Sequence, residues 1–165
     1  MPRRIVNGAP EPLDPEVVES FLSIEVPYRL AMLDFVEEVL PPASTRDSAF
    51  IEAAIVTGRL LMQFLGLGIE HRLGLRLVSR HDYLVRGGAT DEVKATDVGG
   101  RFVEVALLDQ TTAHVLAHFY NGASKASAHF TWDSGHQLDL GNFTKGISII
   151  RDLVRCHVPL REAAD

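Results

Sequence analysis

Apolar residues recur at helical spacing along most of this chain, and turn-forming residues interrupt them at a few defined places. The first run, Val17, Val18, Phe21 and Leu22, follows Asp14 and Pro15. Aspartate accepts from the free amides of a first turn, and proline loses nothing where its amide would have no intrahelical partner, so the pair predicts a helix start. Pro27 is expected to end or kink this helix, because it removes one backbone hydrogen bond and crowds the preceding turn. A second stretch puts Leu30, Leu33, Val36, Val39 and Leu40 on one face before Pro41 and Pro42 stop it. Ser44 or Thr45 then caps the plainest core helix, with Phe50, Ile51, Ala54, Ile55, Leu61, Phe64 and Leu65 inward and Gly66 and Gly68 closing it.

From Ile69 to Gly100 two readings stay open. Leu73, Leu75 and Leu77 alternate as a strand would, and Gly87-Gly88 offers a turn, which predicts a short hairpin; an irregular helix over 70–85 fits almost as well. Helical spacing resumes at Phe102 and runs through His114 and His118 to Tyr120, with a break expected at Asn121-Gly122. A last helix is expected over about 142–157, ended by Pro159. The pattern as a whole predicts an all-α bundle of about five helices, with room for one small β-hairpin between residues 73 and 98. Residues 1–13 hold three prolines and no periodicity, so they read as a flexible leader before a single helical domain over 14–165.

Composition narrows this picture. With 165 residues, 46% of them hydrophobic, the chain can bury one core without staples. Sixteen Lys and Arg against 22 Asp and Glu give a net charge of −6, so a polyanion would be bound only through a local basic patch. Arg72, Arg76, Arg80, Arg86, Arg151 and Arg155 are the candidates. The one cysteine, Cys156, is expected as a small buried residue and forms no intramolecular disulfide. With no run of 18 apolar residues and no signal segment, the expected location is the cytoplasm.

Four of the seven histidines fall between 114 and 136. His114 and His118 stand one turn apart, a spacing that lets two imidazoles share a metal ion, which Asp109, His129 or His136 would complete. Lys125 and His129 have the same spacing on a face of small residues that suits a close helix contact or a homodimer interface. A protonated Lys125 would favour the neutral imidazole, the form a general base needs. Arg59 and Glu52 are the interior charges of the core helix. No nucleophile elbow and no phosphate loop is present.

The stretches S-A-F-I-E-A-A-I-V-T-G-R-L-L-M-Q-F-L at 48–65 and S-K-A-S-A-H-F-T at 124–131 resemble a family of bacterial helical proteins. That family is similar in outline to HEPN domains, small helical bundles that often dimerise and in toxin and defence systems cut RNA without metal. The resemblance covers about a fifth of the chain. It implies Arg59, Ser124 and Thr131 as substrate contacts, Lys125 and His129 as candidate catalytic groups, and RNA as a partner. The string R-D-L-V-R-C-H at 151–157 matches the HEPN signature. By that likeness Arg151 would stabilise the phosphate oxyanion and His157 would act on the ribose hydroxyl or leaving group. Six residues along a helix are about 240° of rotation, so the two converge only if the helix ends between them. Two functions therefore stand as expectations: a HEPN-like domain acting on RNA, and a non-enzymatic binding module with a metal or small ligand at the histidines.

Overall fold

Asn-Gly between two extended runs is a strong local hairpin signal, because both central residues of the tight turn require positive φ. Asn7 (φ 54°) and Gly8 (φ 82°) supply it. They join strand β1 (Arg3–Val6) to β2 (Ala9–Pro10), with Ile5 opposite Pro10 and Val6 opposite Ala9. On its other edge β1 pairs antiparallel with β5 (Ala89–Thr90), Arg3 opposite Thr90. Residues 3–10, read above as part of a flexible leader, thus form a hairpin, and Arg3 and Arg4 within it pair with a strand about 85 positions away, a partner no local pattern could announce.

This computed structural model describes residues 2–38, 45–128 and 140–161; the side chains of Glu37, of 45–48, of 125–128 and of Leu140 lie outside the description. The all-α expectation is corrected: four helical segments are accompanied by two small antiparallel sheets among the described residues. The second sheet is a hairpin of β3 (Leu67–Glu70) and β4 (Arg76–Ser79), in register from Leu67 opposite Ser79 to Glu70 opposite Arg76. It begins earlier than the window 73–98, and Leu73 sits in the turn, 80% exposed. Gly66, at φ 78°, reverses the chain out of the preceding helix and straight into β3.

The first helical segment opens at α1 (Pro15–Ser20), where the Asp14 carboxylate accepts from the Glu16 amide at 2.9 Å. Pro27 neither ends it nor breaks it. The helix widens into a π-helical turn over Phe21–Glu25, the Val26 amide donating to the Phe21 carbonyl, and continues as α2 (Val26–Glu38). Widening relieves the clash of the proline ring with the carbonyl four residues back, which is how helices accept such a residue. Next come α3 (Thr45–Phe64), α4 (Gln110–Ala128) and α5 (Leu140–His157). Residues 102–109 are not helical, apart from a short 3-10 turn at Val105–Leu107. The Asp109 carboxylate accepts from the Thr112 amide and hydroxyl and so starts α4 later than its apolar spacing suggests. Asn121-Gly122 makes no break in α4.

α3 packs against α2, α4 and α5. Leu33 and Val36 of α2, Leu61 and Met62 of α3, Leu65 just after it, Leu116 of α4 and Ile147, Ile150 and Val154 of α5 are at most 1% exposed and form the centre of the core. Phe119 of α4 reaches between α3 and α5, where two glycines make room for it. A Cβ on Gly58 would lie 2.6 Å from the Phe119 ring and one on Gly146 2.7 Å from it. Phe143 stacks on the same ring at 5.5 Å between centroids.

Candidate ligand-binding cleft

The π-helical turn faces the C-terminal half of α3 across an open cleft of about 330 Å³. Its apolar wall comes from Phe21, Val26, Leu60, Leu61, Phe64 and Val93. Its polar groups are Arg29, Gln63, Asp91, Glu92 and Lys94. Apolar walls with a few placed polar groups are the usual make-up of a small-molecule site, and π turns recur beside such sites. Arg29 is tied to its own helix: Nη1 donates to the Glu25 carbonyl at 3.0 Å and to Glu25 Oε2 at 2.5 Å. Gln63 donates to the Tyr120 hydroxyl at 2.9 Å, which fixes it between α3 and α4.

The wall over 91–94 is held by a buried polar network. Arg3 of β1 donates to both oxygens of Asp97, at 3.0 and 2.8 Å, and to the carbonyls of Glu11 and Glu92. The Tyr83 hydroxyl and the Lys94 amide also donate to Asp97. Burial alone would raise the Asp97 carboxyl; the bonds from Arg3, the Lys94 amide and Tyr83, together with the Arg3 charge, outweigh it and hold it below the usual carboxylate range. The Lys94 side chain, 7% exposed, donates to the Arg80 carbonyl at 3.2 Å and lies over the Tyr83 ring. None of Arg3, Asp97 or Lys94 stood out in the sequence. The only signals near this region were the Asn7-Gly8 turn and a proline inside an otherwise helical pattern.

The expected site residues are dispersed. Arg59 lies over the Tyr120 ring, 5.6 Å from its centroid, and the Ser124 hydroxyl donates to the Tyr120 carbonyl within α4. Arg151 donates to Asp34 of α2 at 2.5 Å. His157, six residues on, has Nδ1 3.2 Å from the Phe102 carbonyl. The two signature residues are thus engaged with different elements and are not brought together. Arg155 also approaches Asp34, at 4.0 Å, and Arg76 pairs with Glu70, so much of the basic inventory is matched by acid. Lys125 lies on α4, but its side chain, like all of His129, Thr131 and His136, falls outside the described residues. Cys156, expected buried, is exposed.

His114 and His118 do meet, with ring centroids 4.2 Å apart. Among the described residues they acquire no third His, Cys, Asp or Glu that would complete a metal group; Asp109 is spent on capping α4. Burial, and then the neighbouring charge of His114, push the His118 imidazole below its ordinary value. A depressed histidine binds fewer protons folded than unfolded, so His118 costs stability as pH falls through the histidine range. In an NMR titration His118 is expected to titrate below an ordinary histidine and to move upward in His114→Gln. An unchanged midpoint in that variant would mean that the two rings do not interact.

No helix of the described residues is long and apolar enough to cross a membrane. Against protein-family models, curated proteins and solved structures, the chain finds no match.

Proposed function

We propose that this protein is a small-ligand binding domain whose ligand sits in the cleft between the π-helical turn, the end of α3 and residues 91–94. The observation that carries this reading is the cleft itself. An apolar wall of about 330 Å³ stands beside charged side chains that are fixed by partners within the fold. This is the binding-module expectation moved from the histidines to another place. The nuclease expectation has the sequence resemblance behind it, while Arg151 and His157 are occupied by Asp34 and by the Phe102 carbonyl.

Protein-observed NMR with a neutral probe, phenylacetamide, tests the reading. Shift changes are expected at Phe21, Leu60, Phe64 and Val93 and not at His114 and His118, which do not line the cleft. Leu60 is 46% exposed, so Leu60→Trp can fill the cleft without disturbing the core and is expected to abolish those changes. Probe-induced shifts that are absent, or that survive Leu60→Trp, would overturn the proposal.

A further inference from the structure

Resting on the cleft reading above, we infer that the ligand is a small carboxylic acid with an apolar or aromatic body, its carboxylate gripped by Arg29. The guanidinium is a rigid fork of five N–H donors. Glu25 engages only Nη1, through its carbonyl and its carboxylate. The opposite edge, Nε and Nη2, meets no partner among the described residues. That edge presents two parallel donors, the geometry that holds a carboxylate bidentately. Because Glu25 already fixes the guanidinium, little side-chain freedom remains to be lost when an anion arrives.

The other charges of the cleft are paired within the fold or open to solvent. Glu92 Oε2 accepts from the Leu84 amide at 2.7 Å and lies 3.9 Å from Lys94 Nζ, so its negative charge is turned toward partners. Asp91 is exposed, and water screens it. Lys94, whose side chain is 7% exposed, is the cation that offsets Glu92, so the pair adds little net charge to the cleft. Phe21, Leu60 and Phe64 are left to cover the body of the acid. A volume of about 330 Å³ lies at the small end of the range for ligand sites, which favours a compact acid over a long-chain one.

Phenylacetate, phenylacetamide and phenethylamine share a ring and differ in charge, so titrating each at neutral pH isolates the carboxylate. Phenylacetate is expected to bind at least about tenfold more tightly than the amide, since hydrogen bonds to a charged group are worth that much. The amine is expected to bind most weakly. Arg29 is one-third exposed, so Arg29→Gln should fold; it is expected to weaken phenylacetate by at least about tenfold and the amide by less, so that the preference for the acid is lost. Arg29→Lys, which keeps the charge and loses the fork, should give an intermediate loss. Phenylacetate binding no more tightly than the amide, or equally well to Arg29→Gln, would overturn the carboxylate assignment and leave the cleft reading standing. If neither acid nor amide moves the cleft resonances, both fall.

Discussion

Replacing Phe119 by alanine should lower the free energy of unfolding by about 3–5 kcal/mol, the range for deleting a buried aromatic ring. The ring is 5% exposed and fills a slot whose walls are Gly58 of α3, Gly146 of α5 and the stacked ring of Phe143. Two of those walls have no side chain that could move inward, so the cavity would collapse poorly and the loss should fall toward the upper end. Urea unfolding followed by far-UV circular dichroism measures it; a loss below about 1 kcal/mol would mean that the three helices can close over the gap. The converse substitution tests the same slot. Gly146→Ala gains about 0.5–1 kcal/mol of helix propensity, yet its methyl group would lie 2.7 Å from the ring. Overpacking costs about 1–3 kcal/mol, so a net destabilisation is expected. Trimming the ring in the double variant Gly146→Ala, Phe119→Leu should recover part of that cost, because contacting residues couple.

Asp97→Ala is the second large effect, with an expected loss of about 3 kcal/mol, the lower end for breaking a buried ion pair by removing one partner. The Arg3 and Asp97 side chains are only 9% and 10% exposed. Alanine would leave the Arg3 guanidinium with carbonyl oxygens alone and would strip a partner from Tyr83 and from the Lys94 amide. The sign of the pH dependence follows from the depressed carboxyl. Its contribution is fully present above the unfolded aspartate value, about 3.9, and is lost as pH falls through the lower folded value. The stability gap between the parent protein and Asp97→Asn should therefore be constant from neutral pH down to about 5 and narrow in stronger acid. A gap that stays constant into strong acid would show that the pair does not hold β1 against the 91–97 segment. The same experiment bears on the cleft, because Arg3 binds the Glu92 carbonyl and so anchors the cleft wall.

Much of the helical skeleton was legible from the residues. Asp14-Pro15 marks the start of α1, Gly66 marks the end of α3, and Pro159 follows α5. These signals are local: a cap, a left-handed glycine and a proline act on bonds within a few residues of themselves. Where the pattern misled, a longer-range or opposing term had won. The apolar spacing from Phe102 to Leu108 mimicked a helix, but Asp109 caps α4 after it, and Val103 and Leu108 reach the core from a non-helical segment. Cys156 follows the buried Val154 by two positions, which turns it outward on α5.

The site divides the same way. His114 and His118 could be paired on paper because i and i+4 share a helix face, and their rings do meet. Arg151 and His157 could be paired only as a motif, and the fold hands one to Asp34 and the other to the loop at Phe102. The sequence alone, then, determined where α1 starts, where α3 ends and what stops α5, all of which depend on neighbours within about one turn of chain. Tertiary structure alone decided that β1 pairs with β5, that Arg3 meets Asp97, and that the π turn stands opposite Leu60 and Phe64. Each of those joins residues about 40 to 94 positions apart. Such contacts form only when burial of the whole core offsets the entropy of closing the loops between them, and no local residue pattern encodes that sum.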